Sequence, residues 1–109
     1  MSPRPSIAAL NDALRQTFTT GRVLLTQSVA ALPEATQAEV IEAVRRFDQF
    51  TEENDPYGEH DFGAIDHPQA GRVLWKIDYY DLSMTYASED PSDPAKTRRV
   101  LTIMLGEDW

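Results

Sequence analysis

Arg72-Val73-Leu74-Trp75-Lys76-Ile77-Asp78-Tyr79-Tyr80-Asp81 decides the reading of this chain. Side chains of a strand point to opposite faces in turn. Val73, Trp75, Ile77 and Tyr79 therefore share one face, and Leu74, Lys76, Asp78 and Tyr80 share the other. The first face belongs in a core, with Trp75 as its largest member, and a strand is predicted over residues 72–81. Leu82, Met84 and Tyr86 alternate with Ser83, Thr85 and Ala87, which predicts a hairpin partner directly after it.

Toward the N-terminus, His67-Pro68-Gln69-Ala70-Gly71 reads as a turn and residues 62–66 as a short strand. Residues 51–61 form a polar loop. Within it, Asp55-Pro56-Tyr57-Gly58 suits a type I turn, with Pro second and Gly fourth. Val40, Ile41, Val44 and Phe47 recur at helical spacing after Pro33, predicting a helix over residues 34–50. Residues 22–28 are short and β-prone and are expected to form a strand. Ser6 is a good N-cap, and Ile7, Leu10, Leu14 and Phe18 make an apolar helical stripe behind it. Asn11, Asp12, Arg15 and Gln16 fall away from that stripe. A helix is predicted over residues 7–18, with Gly21 placed to end it.

Toward the C-terminus, Asp93 can cap and Pro94 can take a first helical position, so residues 95–105 are expected to be helical. Val100-Leu101-Thr102-Ile103 is also β-prone, and a strand stays open there. The fold class is α+β: a helix, a strand and a helix, then an antiparallel β-meander and a C-terminal helix, with the helices on one face of the sheet. The 109 residues suit a single domain, with residues 1–5 as a flexible N-terminus.

Composition narrows the chemistry. There are no cysteines, which excludes disulfides, zinc–thiolate sites, iron–sulfur ligation and thiol catalysis. No apolar run reaches membrane-spanning length, and Met1-Ser2-Pro3-Arg4-Pro5 lacks the apolar region of a signal peptide. A cytoplasmic protein without a membrane partner is expected. The net charge is −8, and it is unevenly placed. Residues 47–71 hold seven acidic groups and residues 77–95 hold five, with no Lys or Arg in either stretch. That field repels phosphate backbones, so no direct nucleic-acid binding is expected. It favours solubility, or a protein partner with a basic surface.

The candidate partner-binding residues are Glu52, Glu53, Asp55, Glu59, His60, Asp61, Asp78, Tyr80, Glu89 and Asp90. His60 and the carboxylates around it also allow two other readings, a divalent-metal site or a general base oriented by Asp61 or Asp78. The spacing matches no established ligand motif, and no Ser or Thr sits on a recognisable nucleophile elbow. The five glycines are scattered, so no phosphate-cradling loop exists and no cofactor is expected. A third reading is an accessory domain that stabilises a complex through Tyr80.

The second half carries a resemblance. Asn54-Asp55-Pro56-Tyr57-Gly58-Glu59-His60-Asp61-Phe62-Gly63, Trp75-Lys76-Ile77-Asp78-Tyr79-Tyr80-Asp81, Ser88-Glu89-Asp90-Pro91 and residues 99–105 stand together. With Asn11-Asp12 and Gly21-Arg22-Val23, they resemble the bacterial domain-of-unknown-function family number 3768. Departures lie in the 67–71 turn and the extreme termini. The resemblance implies no assigned activity. It implies an alphaproteobacterial setting, often on plasmids and other mobile elements, and hence a non-catalytic protein acting against host restriction or CRISPR machinery.

Overall fold

The computed structural model describes residues 5–109. The expected flexible N-terminus falls, except for Pro5, outside the described residues. The element order is α1 (Ile7–Thr17), β1 (Arg22–Leu25), α2 (Gln27–Ala30), α3 (Glu34–Arg45), β2 (Phe62–His67), β3 (Gly71–Tyr80) and β4 (Arg98–Leu105), closed by a 3-10 turn over Gly106–Asp108. The fold is α+β, with a four-stranded sheet of order β1-β4-β3-β2. β4 pairs with β3 antiparallel and with β1 parallel, and β2 pairs with β3 antiparallel.

The alternation read in residues 72–81 is the alternation of β3. Register places Val73 opposite Leu105, Trp75 opposite Ile103 and Ile77 opposite Leu101. These side chains meet Leu14 of α1, Val29 of α2, and Val40 and Val44 of α3 in one buried cluster. The helices thus pack on one face of the sheet. Trp75 is fully buried, with Phe47 edge-on to its ring. Its indole is seated against Gly63: a Cβ there would fall 2.3 Å from Nε1. Only glycine allows that approach, and register makes Gly63 and Trp75 direct neighbours.

Five expectations are corrected. Residues 98–105 are strand, not helix. Asp93 does cap, accepting from the Ala95 amide at 2.9 Å, but it holds only a turn. Beyond that turn, Val100, Leu101, Ile103 and Met104 are buried on both faces of a central strand. Such strands read as unbroken apolar runs without alternation. Residues 82–87 form no hairpin strand and contribute one bridge, Tyr80 to Ala87. β2 and β4 already occupy both edges of β3. The Asp81 carboxylate instead gathers the Ser83 hydroxyl and the Thr85 and Tyr86 amides into a turn.

The strand expected over residues 22–28 ends at Leu25, and Thr26 starts the short α2, which buries Val29. The helix expected over residues 34–50 stops at Arg45, because the Arg15 guanidinium takes the Val44 and Arg45 carbonyls at 3.2 and 3.0 Å. α1 ends at Phe18, in the left-handed region at φ 59°, before Gly21 is reached.

Trp75→Ala is expected to lower stability by about 3–5 kcal/mol, through lost burial and the cavity left behind. Gly63→Ala is expected to cost about 1–3 kcal/mol or more, by driving Trp75 off its rotamer. Urea denaturation of both variants checks this. A Gly63→Ala protein as stable as wild type would show that the indole has room to move.

Candidate functional site

Asn11 and Arg15 lie one turn apart on α1. Both are buried, at 0% and 2% exposure, although their polarity set them off the apolar stripe. A buried polar group must find partners, and Asn11 finds three. Its Nδ2 donates to the Tyr79 hydroxyl at 2.7 Å and to the Glu59 carbonyl at 2.9 Å. Its Oδ1 accepts from Arg99 Nε at 2.9 Å, and Arg99 Nη2 donates to the Pro91 carbonyl. One amide thus joins α1, the loop before β2, β3 and β4. Burial pushes the Tyr79 phenol up to about 12, with the bond to Asn11 opposing. Burial lowers the Arg99 guanidinium from its ordinary value.

Arg15 completes the frame. Besides capping α3, it donates from Nη2 to Asp12 at 3.0 Å. Its guanidinium carbon lies 5.4 Å from the Trp75 ring centroid and 5.5 Å from that of Phe50. Asp12 in turn meets His60 Nδ1 at 2.9 Å. His60 stacks flat on Phe50, with ring centroids 3.8 Å apart. Its backbone is left-handed at φ 56°, a conformation that costs a non-glycine residue about 1–2 kcal/mol. The Asp12 contact, the Phe50 stack and a bond from its own amide to Asp55 hold it there.

The loop is built from its own side chains. Asn54 accepts from the Thr51 amide at 2.8 Å and donates to the Gln49 carbonyl at 2.8 Å. The Gly58 amide closes the turn onto the Asp55 carbonyl at 3.1 Å. Asp55 itself is buried, and its carboxylate accepts from the amides of Glu59 and His60. Glu52, Glu53 and Tyr57 point outward, and Tyr57 is 87% exposed. Glu59 and Asp61 are half-buried, and both carboxyls are raised. Burial is the main cause in each. Asp61 and Asp55 add repulsion at Glu59, while Asp55 and Asp78 add it at Asp61, partly offset there by a backbone hydrogen bond.

Of the residues singled out in the sequence, Glu52, Glu53, Asp55, Glu59, His60 and Asp61 come together here, and Asp78 lies near enough to repel Asp61. Asp78 also pairs with Lys76 at 3.0 Å. Tyr80 stands elsewhere, opposite Arg98 in register. Asp90 accepts from Ser92 inside the 88–97 loop, and Glu89 lines a separate groove with Tyr86 and Lys96. Sequence reasoning missed Asn11, Asp12, Arg15 and Arg99 as members. The signal was present: Ile7, Asn11, Leu14 and Phe18 follow one helical face, so Asn11 occupies a core position.

His60 Nδ1 meets Asp12, its Nε2 lies 3.8 Å from Asp55, and no hydroxyl of the described residues bonds to either nitrogen. Among the described residues, no three His, Asp or Glu side chains are arranged to hold a metal ion. None of the described helices is long and apolar enough to cross a membrane.

The family model described as "Protein of unknown function (DUF3768)" matches residues 25–108. The match includes the 51–61 loop, β3 and β4. Asn11, Asp12 and the segment 21–23 lie before it. No curated protein and no solved structure matches the chain.

Asn11→Ala would orphan a buried guanidinium nitrogen, a phenol and a carbonyl, each worth about 1–3 kcal/mol when unsatisfied. A loss of at least about 2 kcal/mol is expected in chemical denaturation, and a fully stable variant would refute the network. Glu59 and Asp61 give a pH signature. Their raised values mean that the folded state holds these protons more tightly than the unfolded chain. Their charge at neutral pH therefore opposes folding, and the opposition fades as pH falls through the raised values toward the ordinary 4.5 and 3.8. Glu59→Gln with Asp61→Asn should raise the melting temperature at neutral pH, and the gain should vanish in acid. A gain independent of pH would assign the effect to something other than these charges.

Proposed function

This chain belongs to the DUF3768 family, and we propose that it is a non-catalytic interaction protein that presents its acidic 51–61 loop to a basic surface on a protein partner. The observation that carries this reading is the division of labour in the loop. Asn54, Asp55 and His60 are spent on internal bonds, while Glu52, Glu53 and Tyr57 are held outward on a fixed backbone. Tyrosine is among the residues that dominate interface energies, and a loop ordered before contact loses little entropy on binding. Carboxylates around it steer a basic partner and repel nucleic acid. The class of partner proposed is a nucleic-acid-binding protein of host defence, of restriction or CRISPR type. The loop would stand where that protein's nucleic acid binds. Charge supports this class, as does the mobile-element setting implied by the family resemblance. An enzymatic role for His60 has less support, because its ring nitrogens face carboxylates and its ring is stacked.

The test begins by capturing a partner from host lysate on immobilised protein. Affinity is then measured against salt, with competing duplex DNA. Glu52→Gln/Glu53→Gln should slow association and flatten the salt dependence. Tyr57→Ala should weaken binding by about 2 kcal/mol, the size of an interface anchor. DNA should displace the wild-type protein. Equal affinities and salt slopes for all variants would leave the loop's acidity a matter of solubility.

A further inference from the structure

A groove of about 750 Å³ lies where β1 and β4 begin side by side, toward the sheet edge opposite β2. In a chain with 18 acidic residues, no acidic residue lines it. Arg22, Arg98 and Arg99 do. Register explains the gathering. Arg22 pairs with Val100 across the parallel ladder, and Arg98 precedes Val100 by two, so the Arg22 and Arg98 side chains rise from the same face of the sheet. That face is opposite the one the helices cover. Gly21 makes the approach possible, since a Cβ there would fall 2.7 Å from the Arg99 carbonyl.

The two guanidiniums are uncommitted to carboxylates. Arg98 Nε donates to the Leu82 carbonyl at 3.0 Å, which orients the side chain and leaves its terminal nitrogens for a ligand. Arg22 is exposed, and no described residue holds it in a hydrogen bond or ion pair. Arg99, next after Arg98 in the strand, points to the helix-covered face, where it is 5% exposed and bonded to neutral oxygens. On the opposite wall, Leu82 and Met84 are 55% and 38% exposed, and Met84 sits in the left-handed region at φ 61°. Solubility calls for neither concentrated arginines nor an apolar rim beside them.

We propose that this groove binds a small phosphorylated ligand of nucleotide size, with Arg22 and Arg98 on its phosphate oxygens and the Leu82–Met84 rim against its organic part. Arginine forks match phosphate geometry in pairs of parallel hydrogen bonds, and the volume lies within the range of small-ligand sites. The residues assigned to the ligand, Arg22 and Arg98, lie outside the 51–61 loop, so this reading and the partner reading are tested by different variants.

The test is calorimetric titration of the full chain with ADP, inorganic pyrophosphate and adenosine. ADP and pyrophosphate should bind, with adenosine at least about tenfold weaker than ADP. Arg22→Gln should weaken ADP about tenfold while leaving the melting temperature of the free protein unchanged. Arg46→Gln, whose guanidinium pairs with Glu42 on α3, should bind ADP as wild type does. The proposal is overturned by no ADP or pyrophosphate binding up to millimolar ligand, by adenosine binding as tightly as ADP, or by Arg22→Gln and Arg98→Gln proteins that keep wild-type ADP affinity. A single-stranded oligonucleotide binding more than about tenfold tighter than ADP would also overturn it, making the groove a nucleic-acid track instead.

Discussion

The guanidinium of Arg15 lies among two carbonyls at the end of α3, a carboxylate of its own helix and the faces of Phe50 and Trp75. Taking a cation out of water costs several kcal/mol, so it persists only where geometry and hydrogen bonds compensate. Here the C-terminal carbonyls of α3 supply both partners and the negative end of a helix dipole. The consequences spread outward. With its last carbonyls taken, α3 stops, and the chain turns at Phe47 to lay its two phenylalanines against Trp75. Phe50 is then in place to stack on His60, and Asp12, held by Arg15, meets that ring from the side. The acidic loop inherits its position from a cation more than thirty residues earlier in the chain.

What could be read from residues alone follows from the range of the forces involved. The alternation of β3 is local, and Trp75 and its neighbours declared both their conformation and their inward face. The turn at Asp55-Pro56-Tyr57-Gly58 is local too, and its amide closes as its residue types demand. β4 was ambiguous because two true signals conflict there. The Asp93 cap exists and organises three residues, yet burial on both faces of the sheet decides the eight that follow. That burial depends on β1 and β3, so no window around residue 100 contains it. The 82–87 segment failed in the converse way: its alternation was real, but no vacant edge awaited it.

Polar residues were the harder part. Asn11 and Arg15 sit on the buried side of α1, and their chemistry disguised their position. Treated by spacing alone, they extend the stripe of Ile7, Leu14 and Phe18. Asp55 shows the same difficulty from the other side. As a carboxylate in an acidic run it looks like surface charge, yet it is the group onto which two amides fold. The negative charge available to a partner is therefore carried by fewer side chains than the composition suggests. The arginines at the start of β1 and β4 are gathered from positions 22 and 98, a proximity that only the parallel ladder reveals.

That ladder also orders events during synthesis. β1 ends at Leu25, and its hydrogen-bonding partner does not begin until Arg98. While the ribosome adds the intervening residues, α1 and β1 have no sheet to join, and the buried Asn11 has no Arg99 to satisfy it. β2 and β3 can form their antiparallel pair in the interval, but the seat between β3 and β1 stays vacant. Closing so long a loop carries a large entropic cost before any contact repays it. The N-terminal helix must therefore wait, with its apolar stripe exposed, until the fourth strand emerges and slots between the other two. Chaperone dependence and slow acquisition of protease resistance are the natural signs of such an inserted central strand.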